Sequence, residues 1–446
     1  MGRVPRNRIR AQLLKQFQFE PLWLVLAAAL CAAGVWTYTD RVLIPHQISD
    51  AAVHDRPRGN LSDLYPRWVG AKELLLHGRD PYSPEVSREI QAGYYGRPID
   101  PSRPDDPRDE QGFAYPVYVV FCLAPTVGLP FPIVQKSFFW VLLVLTSAST
   151  LLWLRVLRWS APLWTQISLL ALTLGSVAVM QGLKLQQMSL LIAGLVAAAM
   201  ALLVAGRPIT AGILLALATI KPQLLLPLLL WLSLWSLADL RRRYRWAVSF
   251  LIVMTVLCAV SEWLLPHWIG RFWHAIVAYR QYAHAIPMLE AILPHPWGRL
   301  VEVSFAAMTA LVCFRRLKPP EDTAAFQAST SLVMALTVLT VPQFALYNQV
   351  LLLPAILLVA HDRKTIWEGN FIGRTLLIMV TILLAWPWLS CTALAGLSFI
   401  LQQETVERAW SIPLWTVPHV PMAVAALMLV HYYQTTFTAP DGPRSS

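Results

Sequence analysis

Two ionisable residues stand where an oily chain should not keep them. Asp63 opens the stretch SDLYPRWVGAKELLLHGRDPYS (62–83), which gathers Asp63, Arg67, Lys72, Glu73, Arg79 and Asp80 into one compact charged group. Lys221 lies in ALATIKPQLLLPLLL (216–230) with apolar sequence on both sides. An unpaired ammonium in hydrocarbon costs about 2.5–3.5 kcal/mol or more, so such a side chain faces a cavity or a partner. A carboxylate at the boundary between apolar and wet surfaces is partly desolvated. That raises its pKa toward the range in which it can deprotonate a sugar hydroxyl. A fixed cation can neutralise a lipid phosphate. Pattern alone leaves plainer roles open. Asp63 can cap a helix or pair with Arg67 one turn on, and Lys221 can snorkel to headgroups.

Other polar groups carry weaker signals. FALYNQVLLLP (344–354) sets Tyr347, Asn348 and Gln349 at the end of an apolar run, where they can meet a headgroup or sugar or simply anchor an interface. Gln186 and Gln187 open another apolar run in the same way. His267, His274, His284 and His295 share one loop and can hold phosphate when protonated, or be plain surface residues. The five cysteines are scattered singly, with no CxxC pair and no histidine at ligand spacing, so neither a disulfide framework nor a metal site is expected. There is no glycine-rich phosphate loop and no nucleophile elbow, which disfavours nucleotide-dependent chemistry.

These residues must be positioned by membrane helices. The chain is 56% hydrophobic and 14% charged, with mean hydropathy +0.51, against about a quarter charged in a soluble domain. The net charge of +11 sits in short clusters between apolar runs, a cytoplasmic-loop pattern that argues against a nucleic-acid face. A bilayer core about 30 Å thick needs roughly 20 apolar residues per helix. Twelve spans are expected, at 21–40, 132–154, 161–181, 186–205, 208–220, 222–237, 246–265, 298–314, 324–341, 346–361, 371–390 and 412–433. The first reads as a retained signal-anchor helix. The short pair flanking Lys221-Pro222 reads as one hairpin with its tip below the membrane surface. With this count the basic N-terminus, RVLR (155–158), Arg207, RRRYR (241–245), RRLK (315–318) and DRK (362–364) all fall on the cytoplasmic side. Both termini are then cytoplasmic, with 434–446 as a tail, in a single integral domain over 1–446. Residues 41–131 form a first extracytoplasmic loop, of which 113–131 is proline-broken and re-entrant or surface-lying, and 266–297 form a second. The helical period around Asp63 puts Leu64, Trp68, Ala71 and Leu74 on one face, which a helix lying on the membrane would bury.

Asp63, GRDPY (78–82), FAYPVY (113–118) and the run from QQMSLL through LATIKP to LLLWL (186–232) occur in an order that resembles glycosyltransferase family 87 of the GT-C superfamily. The resemblance implies an all-α GT-C fold in the cell membrane. It also implies inverting, metal-independent transfer of a hexose, usually mannose, from a polyprenyl phosphate to a lipid or glycan acceptor on the extracytoplasmic face. The lipid-linked sugar is a substrate, so no cofactor is implied; the partners are the bilayer, the donor and the acceptor. By the same resemblance Asp63 is the base, and Lys221 holds the donor phosphate with Arg67 or His284. Tyr115, Gln187, Tyr347 and Asn348 then contact substrate. The chain departs from the family where Val117 follows Tyr115-Pro116 in place of a second proline, and where Gln186 replaces a glycine before Gln187. The family's late histidine has no match; Tyr347-Asn348 occupies that region. The rival readings are a transporter or flippase of a lipid-linked or anionic solute, since intramembrane charge also lines ion paths, and a non-catalytic scaffold.

Overall fold

The computed structural model describes residues 6–56, 62–282, 287–341 and 345–437; these are mostly helical, with turns and irregular chain over 96–118 and no strand among them. Among the described residues six helices are long and apolar enough to cross a membrane: Leu22–Val53, Phe131–Val156, Leu240–Leu264, Trp297–Arg315, Phe371–Leu397 and Gln403–Tyr433. The chain is a multi-pass membrane protein. A seventh crossing is broken: Leu163–Leu174 and Val177–Lys184 meet at a 57° bend. The break is written locally. A side chain at Gly175 would meet the Ala32 backbone at 2.3 Å, and Ser176 caps the second half by accepting from the Val179 amide.

The remaining apolar runs of the interior form shorter helices, among them Met188–Val204, Pro208–Ile220, Pro222–Leu237 and Ala324–Thr340. A 16-residue helix such as Pro222–Leu237 is about 24 Å long, less than the hydrocarbon core. Length and composition therefore pick out six or seven spans where the sequence led us to expect twelve. Met188–Val204 and Ala324–Thr340 lie in the interior, whereas Pro222–Leu237 exposes Leu226, Leu230 and Leu237 on one side. Ala324–Thr340 is buried almost all round, and its Ser329, Thr330 and Ser331 lie fully inside. Small and hydroxyl residues are the usual contacts between membrane helices because they let backbones approach. Outer helices instead expose Leu251, Ile252, Ile382 and Leu389 on the outside of the bundle.

The basic turns meet at one end. Arg158 pairs with Asp322 at 2.8 Å, and Trp159 packs edge-on to His361. Arg243 donates to the carbonyls of Trp235, Leu317, Lys318 and Pro319 while its guanidinium lies 4.0 Å above the Trp235 ring. Lys221 lies at the far end of its hairpin, on the side that carries the two large loops. Its extended backbone (φ −124°, ψ 81°) is what a residue before proline prefers, so Lys221-Pro222 itself separates the two helices.

The first loop folds into helices Ile44–Val53, Leu64–His77 and Pro84–Tyr95. Leu64–His77 does not lie its apolar face on the membrane as its period suggested. Tyr65 and Trp68 pack on Phe131, and Gly70 abuts the Phe113 ring, so the face is covered by the 113–131 segment of the same chain. That segment carries the five-residue helix Val119–Leu123 and a 3-10 turn over Ala124–Thr126, together far too short to cross a membrane. Gly78, at φ 64°, ends Leu64–His77 in a left-handed turn. Beyond it GRDPY is a clasp. Arg79 bridges Glu73 and Glu89 at 2.9 and 2.7 Å, and Asp80 accepts from the Tyr82 amide and pairs with Arg271 of the second loop. The second loop is built on Trp268–Tyr282 and Met288–Ile292.

Candidate active site

The N-terminus of Leu64–His77 is clamped to the start of Met188–Val204. The Asp63 amide donates to the Leu185 carbonyl at 2.9 Å, and the Ser62 hydroxyl donates to Gln186 Oε1 at 2.7 Å. Gln186 adopts φ 49°, a left-handed conformation that glycine takes without cost and other residues do not. Its carboxamide offsets that cost by making a full set of bonds: it accepts from Ser62 and Gln135 and donates to the carbonyls of Leu183 and Lys184. The departure from glycine at this position thus keeps the backbone that a glycine would give and adds a side-chain lock.

The lock brings the next residue onto Asp63. The Gln187 amide donates to the Asp63 carboxylate, and its Oε1 accepts from Lys221 Nζ at 2.9 Å. Lys221 Nζ also donates to Ser189 Oγ at 3.1 Å, and Ser189 donates in turn to Asn348 Oδ1 at 2.8 Å. The ammonium stands 5.7 Å from the Tyr115 ring centroid and 5.1 Å from that of Tyr347. Lys221 therefore does not snorkel; it is held inward, half-buried, between two aromatic faces. Arg67 stacks 4.5 Å above the other side of the site on Tyr115 and donates to the Asp63 backbone carbonyl at 2.6 Å.

Neither plain role foreseen for Asp63 is filled by its carboxylate. Asp63 stands at the N-cap of its helix, yet its side chain makes no capping bond. Arg67 bonds its carbonyl oxygen, and among the described residues no cation forms an ion pair with the carboxylate. The carboxylate is half-buried and receives bonds from Gln187 and the Tyr94 hydroxyl. Burial pushes its pKa up, while Arg67, Lys221 and the two hydrogen bonds pull against that rise. A carboxylate held off the Lys221 ammonium by one carboxamide can still accept a proton. A lysine bonded only to neutral oxygens keeps its whole charge for an anion.

Seven of the eight residues singled out in the sequence converge here: Asp63, Arg67, Tyr115, Gln187, Lys221, Tyr347 and Asn348. The eighth, His284, lies outside the described residues. His267, His274 and His295 are exposed. From the second loop it is Tyr279 that stands near Arg67 and Tyr347. Tyr94, Ser189 and Tyr279 were missed. Only Ser189 had a readable signal, its place two residues after Gln187. Of the opening charge cluster, Asp63 and Arg67 enter the site; Glu73, Arg79 and Asp80 belong to the clasp, and Lys72 stands 5.5 Å over Trp68.

The family model described as glycosyltransferase family 87 matches residues 113–342, just over half of the chain. No curated protein and no solved structure matches it. The matched residues contain Tyr115, Gln187, Ser189 and Lys221; Asp63, Arg67, Tyr94 and Tyr347 flank them.

Proposed function

The chain belongs to glycosyltransferase family 87 and is a membrane glycosyltransferase; from that premise we propose that it transfers a hexose, mannose by preference, from a polyprenyl phosphate to an acceptor hydroxyl with inversion. The observation that carries this reading is the Asp63–Gln187–Lys221 chain. It holds one proton acceptor and one cation side by side, from elements distant in sequence, on the side of the bundle opposite the basic turns. A polyprenyl phosphate brings its own leaving group. The protein has two tasks, to take a proton from the acceptor and to stabilise the departing phosphate.

Asp63 takes the acceptor proton onto its carboxylate as the acceptor oxygen attacks the anomeric carbon from the face opposite the phosphate. The bond from the anomeric carbon to the phosphate oxygen breaks, and its electron pair leaves with the polyprenyl phosphate beside Lys221 and Arg67. Tyr115 and Tyr347, which flank the ammonium, border the sugar. Tyr94 and Gln187 aim the carboxylate. The positive-inside rule applied to the gathered basic turns makes that end cytoplasmic and the site extracytoplasmic.

The test is hexose transfer by purified protein from radiolabelled polyprenyl-phosphate mannose to a membrane-lipid extract, beside Asp63→Asn. We expect transfer by the wild type and a loss of about 10²–10⁴-fold in the folded variant. Transfer by both would move the base elsewhere. Absence of transfer by either, with several donor hexoses, would overturn the donor assignment. Protein-dependent movement of lipid-linked hexose across a vesicle without transfer would favour a flippase.

A further inference from the structure

A groove of about 400 Å³ runs along the bundle between the broken span at Gly175-Ser176, helix Leu353–Glu368 and helix Phe371–Leu397. Two helix irregularities line it: the bend at Ser176, and Pro387 inside Phe371–Leu397. Each leaves backbone carbonyls without an amide, and side chains take them up. Trp388 Nε1 donates to the Gly175 carbonyl at 2.9 Å, and Trp36 Nε1 to that of Leu174 at 3.2 Å. Pro387 deprives the Leu383 carbonyl of its donor, and Thr416 Oγ1 donates there at 3.0 Å. Polar side chains of the lining are committed in the same way. Gln349 donates to the Val417 carbonyl at 2.8 Å, Ser176 to that of Thr173 at 2.9 Å and Thr381 to that of Leu377 at 2.8 Å. The rest of the wall is almost wholly aliphatic, so the space is suited to hydrocarbon and not to water.

One charge interrupts this lining, Arg363. It is exposed, it donates to the Ala360 carbonyl at 2.8 Å, and among the described residues no carboxylate pairs with it. The neighbouring Asp362 is engaged elsewhere, accepting from Tyr432 at 2.6 Å and pairing with His361 and His431. We propose that the groove binds an anionic glycerophospholipid, with an acyl chain between the broken helices and the phosphate on Arg363. The lipid belongs to the leaflet on the side of the basic turns, the cytoplasmic one by the positive-inside rule. Position and depth single out this occupant. His361, two residues before Arg363, packs on Trp159 among those turns, so the cation lies at the end opposite the Asp63 site. Arg363 follows Leu353, at the start of its helix, by roughly 15 Å at 1.5 Å per residue, which is half of a hydrocarbon core of about 30 Å. At the other end the buried Gln349 and Val417 are bonded to each other. A guanidinium with free N–H groups matches the paired oxygens of a phosphodiester, and a basic pocket between helices on this side is suited to an anionic headgroup. This site stands independently of the transferase reading.

The test is native mass spectrometry of the full-length protein, stripped of lipid in detergent and titrated with phosphatidylglycerol or phosphatidylcholine. We expect the wild type to retain one phosphatidylglycerol at concentrations at which phosphatidylcholine is lost. Arg363→Gln should weaken that binding about fivefold or more. Lys364→Gln removes an exposed charge one residue on that does not line the groove, and should leave binding unaltered. Ala385→Leu narrows the groove while keeping the cation, and should also weaken binding. Phosphatidylglycerol should raise the thermal midpoint of the wild type and raise that of Arg363→Gln less. Equal retention of the two phospholipids, equal losses in Arg363→Gln and Lys364→Gln, or wild-type binding by folded Arg363→Gln overturns the proposal. Displacement of phosphatidylglycerol by a polyprenyl phosphate would overturn it too, by giving the groove to a different lipid.

Discussion

Asp63 and Lys221 are separated by one carboxamide, and that spacing sets what each can do. A direct ion pair would neutralise both; the Gln187 bridge keeps the carboxylate basic and the ammonium charged. The base must be ionised to work, so the rate rises with pH through the Asp63 pKa and falls as pH drops below it. Because burial raises that pKa, the acid limb of kcat/KM should lie above the ordinary aspartate value of about 3.9. A profile measured from about pH 4 to pH 8 checks this, and a rate that stays flat down to about pH 4 would count against Asp63 as the base. Lys221→Met keeps the stem and removes the charge. It should lower kcat by about 10²–10³-fold for a polyprenyl-phosphate donor, as loss of a preorganised phosphate or oxyanion contact does. Lys221→Arg should not restore it, since the longer, planar guanidinium cannot reproduce the ammonium's bonds to Gln187 Oε1 and Ser189 Oγ.

The site is only as firm as the short helices beneath it. Pro208–Leu217 packs so closely on Leu240–Leu264 that a side chain at Gly212 would meet the Trp246 carbonyl and Ser249 Oγ, each at 2.1 Å. Gly212→Ala must push the helices apart and should cost about 1–3 kcal/mol, read as a lower thermal midpoint in detergent. Gly396→Ala, which would meet nothing within 4 Å, is the control and should leave the midpoint unchanged. At the other end of the same hairpin, Arg243 spans four carbonyls and a tryptophan face. Arg243→Lys loses the planar fork and the stacking, so the lysine should not preserve stability in the same assay.

Across the whole molecule the two ends have opposite characters. The basic turns bind one another at one end, and the two large loops, clasped by Asp80 and Arg271, roof the site at the other. If charge orients the bundle, Arg88 in the first loop and Arg242 in a basic turn face opposite sides of the membrane. Both are exposed. In a variant lacking the native cysteines, a single cysteine at position 88 should react with a membrane-impermeant maleimide in intact cells, and one at 242 only after lysis. The reverse pattern would invert the orientation.

The class of the protein and its two chemical outliers were legible in the sequence, because hydropathy and misplaced charge are local properties. Apolar runs mark helices wherever they fold, and an Asp or Lys in such surroundings stands out without any partner being known. The helix break at Lys221-Pro222 was equally local, whereas the one at Gly175-Ser176 fell inside a run expected as one span over 161–181. Tertiary structure decided the rest. Fewer described helices are long enough to cross than there are apolar runs, because several runs fold into helices of 10–17 residues. The amphipathic face of Leu64–His77 met protein and not lipid, since periodicity shows that a face is apolar but not what covers it. Half of the charge cluster became a clasp, while a serine and two tyrosines of unremarkable sequence entered the site. Their roles come from contacts between residues far apart in the chain, which no local pattern of spacing contains.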